Sequence, residues 1–483
     1  MAIDTTTQTS PAADTAAPGI PRLSTRDKLV LFVLCAAQFM VALDFSVLNV
    51  ALPGLGRDLG MNTSALQWAV TAFALPSGGF LLLFGRAGDL FGRRRLFLTG
   101  LALFGAASLL STLAWDPASF LTGRALQGLG AAAIVPTGMS LLTTTFPEGP
   151  ARDRALGISG TLLSLGFTIG MVAGGTLTDT FGWRSTMALL TLFALIVLPL
   201  APSLLPESLP QSLKGMGGTP IPHSPRLDVP GAITVTAGLL SLIYALSTAA
   251  DHGFGRADVL AALAAGLVLL AAFVLVESRA AAPLVSLPML RRRTVAWGNI
   301  GGLVTFSMMS TIVFVLTLYL QEILGLSAFE TGLVFGFQGL LSVVAGTLAP
   351  KVIGRLGARR TLVASLTGQG VLTASLLLLN THVWSAWLAT VAVALASMCH
   401  LGAIISYGVT VTSGVPDEEQ GLATGLVTST QQVGITVGIP LLGVLATTSG
   451  DLLTGVHTVI ALDTVIVLGA ALLTGLGLRR SRA

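Results

Sequence analysis

The sequence predicts an all-α integral membrane protein with fourteen transmembrane helices. Three observations lead to this fold class: the composition, the long apolar runs and the placement of positive charge. Hydrophobic residues make up 53% of the chain and charged residues 10%, whereas ordinary soluble proteins carry about 25% charged residues. So much apolar surface requires lipid as its solvent.

Fourteen apolar runs are long enough to cross a bilayer, which takes about 20 residues in a helix. Their lengths and their lack of alternation exclude barrel strands. The runs are 29–51, 66–84, 97–114, 118–141, 157–178, 185–204, 230–249, 259–276, 296–320, 331–349, 361–379, 384–408, 422–447 and 456–478.

Positive charge orients these helices, since cytoplasmic loops are enriched in Lys and Arg. With both termini inside, 22 of the 26 Lys and Arg residues lie in cytoplasmic segments. Three, Arg57, Arg184 and Arg256, lie outside, and Arg124 lies within a span. The basic excess therefore reflects topology, and no nucleic-acid partner is expected.

The last six spans repeat features of the first six. Leu59-Gly60-Met61 follows the first span, and Leu324-Gly325-Leu326 follows the ninth. In each case a second glycine, Gly92 or Gly357, comes 32 residues after the first and shortly before a run of arginines. Two facing six-helix halves are typical of alternating-access transporters. Spans seven and eight have no counterpart.

We therefore predict a flexible cytoplasmic tail at 1–28, a six-helix bundle at 29–204, a linker at 205–227, two inserted helices at 228–277, a linker at 278–294, a second bundle at 295–478 and a tail at 479–483.

Catalytic signatures are missing. No lysine follows a glycine, so the chain has no Walker A loop, and neither HExxH nor GxSxG occurs. Gly128-Leu129-Gly130 lies mid-span without a preceding strand, which argues against a dinucleotide site. We expect no enzyme activity, no cofactor and no metal, and we expect the energy to come from a gradient or from the substrate's own gradient.

Only three charged residues lie within the fourteen runs: Asp44, Arg124 and Asp463. A charge at mid-bilayer costs at least about 2.5–3.5 kcal/mol, so each needs a partner or water. Asp44 and Arg124 lie at similar depths, roughly 9–10 Å from the outer surface, and we expect them to meet. Burial favours a neutral Asp44 and a nearby arginine favours its ionised form. We interpret Asp44 as a proton site tuned by Arg124; the alternative is a fixed ion pair.

Several polar or adaptable side chains within the spans are candidates for a substrate cavity. His400 suits a proton relay, or is a buried neutral histidine. Asp463 either takes a direct role, contacts a neighbouring helix or reaches the outer interface. The candidates are Asn49, Gln127, Met308, Gln321, Gln338, His400 and Asp463.

Four motifs resemble the major facilitator superfamily, in particular its fourteen-span drug:proton antiporters, over roughly residues 28–478. They are Leu43-Asp44 with Asn49 to Pro53; Gly85, Asp89, Gly92, Arg93 and Arg94 between spans two and three; Arg124, Gln127, Gly128 and Gly130 in span four; and Gly166, Gly170, Met171, Gly174 and Gly175 in span five. Met171 departs from the pattern, since proline usually follows the second glycine of the span-five motif.

The resemblance implies a major facilitator fold with two six-helix bundles and two inserted helices. It also implies a charge latch between Asp89 and Arg93; the alternative is that Arg93, Arg94 and Arg95 only set topology. Gly166, Gly170 and Gly174 recur on one helix face, where small residues permit close packing in lipid. We expect this face to seal one half against the other.

The resemblance further implies proton-coupled export of hydrophobic or amphipathic drugs or antibiotics by a monomer in the bacterial inner membrane. Two alternatives stay open. One is uptake or uniport of a metabolite, which the departure at Met171 permits. The other is a receptor or lipid scramblase that does not transport, which the lack of a large cytoplasmic segment disfavours.

Overall fold

The computed structural model describes residues 24–146, 150–205, 228–252, 255–280, 283, 287–413, 415, 420–443, 445–448 and 451–479. Within these ranges the chain is helical and contains no strand. Most of the expected terminal tails and of the linker at 205–227 lies outside the described residues. The last residues of the first predicted tail, Thr25 to Lys28, already belong to the first helix.

Seventeen α-helices make up the described chain. The first seven are α1 (Thr25–Leu59), α2 (Thr63–Gly79), α3 (Leu81–Phe91), α4 (Arg93–Thr112), α5 (Pro117–Thr145), α6 (Pro150–Phe181) and α7 (Arg184–Leu204). The next three are α8 (Val229–His252), α9 (Ala257–Glu277) and the short α10 (Leu287–Leu290). The last seven are α11 (Arg293–Leu318), α12 (Ala328–Leu356), α13 (Ala358–Ser375), α14 (Ser385–Thr412), α15 (Gln420–Gly438), α16 (Leu445–Thr448) and α17 (Leu452–Gly477).

Every expected span coincides with helix, and eleven of the described helices are individually long and apolar enough to cross a membrane. Two other spans are divided. Span two breaks at Phe80 between α2 and α3, and span thirteen passes from α15 through a π-helical segment, Ile439–Gly443, to α16. A second π-helical segment, Tyr319–Ile323, extends α11. The remaining span, seven, is α8.

The internal repeat is visible in the backbone. Gly60 and Gly325 adopt φ values of 65° and 68°, and Gly92 and Gly357 adopt 104° and 81°. These left-handed conformations suit glycine because it lacks a Cβ. Corresponding helices also pair alike: α4 packs on α5 as α13 packs on α14, and α1 packs on α6 as α11 packs on α15. The expected pair of six-helix halves is confirmed.

The inserted helices α8 and α9 pack on each other, and α8 also packs on α2. The hydroxyl of Thr236 in α8 donates to the Gly79 carbonyl oxygen at 2.7 Å, beside the break in span two. A side chain inserted into the backbone ladder is a recognised cause of such breaks. Much of α9 is exposed along its length, as expected of a helix that faces lipid.

Following the predicted orientation, we call the end of the bundle near Gly60 and Gly325 the outer end, and the end near Gly92 and Gly357 the inner end. The two halves meet along the outer parts of α6 and α12. A Cβ on Gly332 would lie 2.5 Å from the Met171 carbonyl oxygen.

Nearer the inner end these two helices offer no such contact. A Cβ on Gly157 or Gly160 of α6, or on Gly354 of α12, would meet no described atom within 4 Å. In addition, α3 packs mainly on α2, α4, α5 and α8, all of which precede the second half in the chain. In this conformation the halves touch at the outer end, and the described inner parts of α6 and α12 lie apart, while α2 also packs on α15.

Candidate functional site

The two predicted charges of the first half form an ion pair in its core. Arg124 Nη1 donates to Asp44 Oδ1 at 2.6 Å and to Oδ2 at 2.8 Å. Both side chains are fully buried. Because an unpaired buried charge costs several kcal/mol, each residue accounts for the other's presence in an apolar helix.

Gln127 connects this pair to a third helix. Its Oε1 accepts from Arg124 Nη1 at 3.0 Å and its Nε2 donates to Asp44 Oδ1 at 3.3 Å. The same Nε2 donates to Ser108 Oγ of α4 at 2.8 Å, and Ser111 Oγ lies 3.4 Å from Gln127 Oε1. Side chains from α1, α4 and α5 thus form one polar cluster.

Arg124 has partners besides the carboxylate. Its Nε donates to the Ala69 carbonyl oxygen at 3.1 Å, and its guanidinium lies 4.5 Å from the centre of the Phe73 ring. Its Nη2 is buried and has no hydrogen-bond partner among the described residues. Protonation of Asp44 would therefore leave the arginine cation held by a carbonyl, an amide and an aromatic face.

Close helix packing brings these groups within reach. A Cβ on Gly128 would lie 2.9 Å from the Phe73 carbonyl carbon, and one on Gly130 would lie 2.8 Å from the Gly100 carbonyl oxygen. The glycines of α5 therefore let α2 and α4 approach its backbone, as small residues do in membrane helices. The start of α5 is fixed by a capping box between Asp116 and Ser119.

The second half contains a smaller polar cluster on the corresponding helices. Thr305 of α11 donates to Gln369 Oε1 of α13 at 2.5 Å and lies 2.9 Å from His400 Nδ1 of α14. The His400 ring also packs edge-on against Phe306, with 5.3 Å between centres. Both halves thus join their first, third and fourth helices through polar side chains, but only the first half uses charges.

Most candidate cavity residues are buried against protein in this conformation. Six of the seven are at most 8% exposed: Asn49, Gln127, Met308, Gln321, Gln338 and Asp463. His400 alone is half-buried. This differs from the expectation of an open lining, because helix packing covers these side chains; Gln127, for example, belongs to the Asp44 cluster.

The inner loop motif is only partly described. Gly92 forms the turn between α3 and α4, and Arg94 Nη2 donates to the Pro202 carbonyl oxygen of α7 at 2.5 Å. A Cβ on Gly85 would lie 3.5 Å from Pro136 of α5. The side chain of Asp89 lies outside the described residues, so its latch with Arg93 stays a prediction.

The glycine face of α6 packs differently from the expectation. Gly166, Gly170 and Gly174 face α1 of the same half; a Cβ on Gly174 would lie 2.8 Å from Val47 Cα. These three glycines therefore bind the first half together and do not seal it against the second. The prediction was wrong because a glycine repeat identifies a packing face without identifying the helix that covers it.

Contact between the halves falls on the neighbouring face of α6. There Gly175 opposes the Ala328 carbonyl of α12, where a Cβ would clash with the backbone. Met171, the departure from the antiporter pattern, presents its carbonyl to Gly332 on the same face. Helix α6 runs through Met171 without a break.

A polar contact at the outer end was not foreseen from the sequence. The Asp179 carboxylate of α6 accepts from the backbone nitrogens of Ala328 and Phe329 at 3.1 and 2.8 Å, capping α12 of the other half. Nearby, Gln321 Nε2 donates to the Val50 carbonyl oxygen at 2.9 Å. Hydrogen bonds to backbone atoms cannot be read from residue types, because every residue has the same backbone. The position of Asp179 near a helix end was the only signal in the sequence.

Comparison with known proteins agrees with this architecture. The sequence model of the Major Facilitator Superfamily matches residues 34–439 and 300–483. The crystal structure of PepTSo, a POT family transporter, superposes with a TM-score of 0.70 at 16% identity, covering 95% of this chain and 98% of that one.

Two curated relatives are exporters or resistance proteins by name. The cephamycin export protein CmcT of Amycolatopsis lactamdurans is 37% identical over 87% of this chain and 85% of its own length. The puromycin resistance protein pur8 of Streptomyces alboniger is 36% identical over 86% of this chain and 81% of its own. The fold, the family match and these relatives together show that this chain belongs to the major facilitator superfamily of membrane transporters and is not an enzyme.

Proposed function

We propose that this protein exports hydrophobic or amphipathic antibiotics in exchange for protons, by alternating access. The buried cluster of Asp44, Arg124 and Gln127 carries the proposal, because it places an ionisable carboxylate beside a permanent cation within the lipid-spanning core. The names of the relatives support export of antibiotics as the direction and substrate class.

In the proposed cycle Asp44 exchanges a proton while Arg124 stays charged. Ionised Asp44 is held by both Nη1 hydrogen bonds. Proton binding neutralises the carboxylate and removes its electrostatic attraction to Arg124, which weakens the contact between α1 and α5. Arg124 keeps its hydrogen bonds to the Ala69 carbonyl oxygen and to Gln127. The protonation state of one residue thereby biases how α1 packs, and α1 also touches α11 and α12 of the other half.

Alternating access is supported by the asymmetry of the contact between the halves. In this conformation they are joined at the outer end by α6, α12 and the Asp179 cap. Opening toward the outside would break these contacts and bring the inner ends together. By the predicted orientation, the conformation described here receives substrate from the cytoplasm.

An antibiotic susceptibility panel in an efflux-deficient bacterial host tests the export function. Expression of the wild-type chain should raise resistance to several amphipathic compounds, and Asp44→Asn at equal membrane abundance should abolish the increase. Equal susceptibility of cells with and without the wild-type chain, across the panel, would contradict antibiotic export.

A further inference from the structure

Asp463 is the one predicted intramembrane charge that the polar clusters do not use. It lies near the middle of α17, and its side chain is 0% exposed. Neither carboxylate oxygen has a hydrogen-bond partner among the described residues. An ionised carboxylate without donors or a counter-charge is too costly to bury, whereas a neutral carboxylic acid is tolerated.

The packing register of α17 indicates which polar side chains lie at the level of Asp463. Two contacts fix how α17 lies against α13. His457 Nε2 lies 2.9 Å from the carbonyl oxygen of Leu379, which follows α13, and the Leu468 side chain packs against Gly370. Asp463 therefore lies level with Thr373. The Thr373 hydroxyl already donates to the Gln369 carbonyl oxygen of its own helix.

On α11, another helix that packs closely on α17, the hydroxyl at this level is also engaged. Trp297 of α11 contacts Gly477 of α17, and this antiparallel register places Thr311 at the level of Asp463. The Thr311 hydroxyl donates to the Ser307 carbonyl oxygen at 2.9 Å. Serine and threonine hydroxyls in membrane helices commonly bond back to their own helix in this way.

No charged group compensates Asp463 from the elements packed on α17. In the described parts of these elements, the titratable side chains lie toward the helix ends. They are Arg293 of α11, Tyr319 and Glu322 of its π-helical extension, Arg359 and Arg360 of α13, and His457 of α17 itself. The site therefore resembles neither a structural salt bridge nor a helix cap.

We propose that Asp463 is a second proton-binding carboxylate, located in the second half, which holds its proton while the outer end is closed. The inference rests on the proposed proton-coupled export. A carboxylate takes up one proton to become the neutral acid, and it returns the proton when opening of the outer end lets water reach α17. The two halves would then each carry one proton site, Asp44 paired with an arginine and Asp463 unpaired.

Infrared spectroscopy tests the protonation state without requiring transport. At neutral pH, the difference spectrum between wild-type protein and Asp463→Asn should show the C=O stretch of a protonated carboxylic acid. The variant keeps the shape and neutrality of the site, so it should fold normally. A difference spectrum that contains carboxylate bands instead would overturn the proposal.

Proton stoichiometry in proteoliposomes tests the role in coupling. Asp463→Asn should lower the number of protons exchanged per drug molecule, while Thr464→Val, which removes a neighbouring hydroxyl, should leave it unchanged. An unaltered ratio in Asp463→Asn, beside measurable coupling in wild type, would refute this inference alone. Absence of coupling in the wild type would refute the proposed function, and the infrared result would still report on Asp463.

Discussion

At the scale of single residues, Arg124 does more than neutralise Asp44. Its planar group reaches a carboxylate, an amide oxygen and a backbone carbonyl at once. A lysine ammonium is a point charge on a flexible side chain and cannot direct hydrogen bonds to these three groups in the same planar arrangement. The cluster therefore selects arginine by geometry as well as by charge.

We accordingly expect Arg124→Lys to lose most transport activity although the positive charge is kept. The lost hydrogen bonds to a charged group are worth about 1.5–3 kcal/mol each. Drug efflux from loaded cells, at matched membrane abundance, measures the effect. Arg184→Lys, at an exposed pair with Asp58, is the matched control and should retain activity; full activity of Arg124→Lys would contradict the proposed role.

A second prediction at this scale concerns the Asp179 cap. Asp179→Ala removes the carboxylate that caps α12, which should weaken outer closure by about 1 kcal/mol, since caps contribute about 0.5–2 kcal/mol. Val172, which faces Gly336 across the halves, is a suitable reporter. A cysteine there should react several-fold faster with an impermeant maleimide added outside in the Asp179→Ala background, and an unchanged rate would argue against the cap.

The sequence predicted part of this site at residue scale. Asp44 and Arg124 were found because charges are rare in spans and their depths matched. Gln127 lies one turn after Arg124 on the same helix face, so its inclusion follows from helical spacing. Ser108 and Ser111 were missed because hydroxyls are common in membrane helices and usually satisfy themselves on their own backbone.

At the scale of elements, the glycines of α6 hold it against α1. A Cβ on Gly170 would collide with the Ser46 hydroxyl, and one on Gly174 would lie 2.8 Å from the Val47 backbone. The sequence identified this face from its spacing. It did not identify the covering helix, because α6 packs closely on both α1 and α12, and only the folded packing decides which of them covers a given face.

We therefore expect Gly174→Val to destabilise the first half by about 1–3 kcal/mol, the usual cost of overpacking. Gly160→Val on the same helix is the matched control, because a Cβ there meets nothing within 4 Å. Thermal unfolding of both purified variants in detergent gives the comparison. Equal melting temperatures for Gly174→Val and the control would contradict the packing described.

At the scale of the whole molecule, the architecture of six, two and six helices was predictable because it depends on hydrophobic length, charge bias and a repeat. All three signals are additive along the chain and tolerate local error. The division of span two at Phe80 was not predictable, since it coincides with a tertiary hydrogen bond from Thr236 to the Gly79 carbonyl. The closed outer end likewise depends on contacts between residues far apart in sequence.

The proposed exchange cycle depends on the protonation of Asp44, buried beside Arg124 in the first half. Drug-driven proton movement in proteoliposomes, measured with a lumenal pH dye, tests this dependence most directly. The account predicts a drug-dependent pH change for wild-type protein and none for Asp44→Asn at equal incorporation. Wild-type coupling in the Asp44→Asn variant would contradict it.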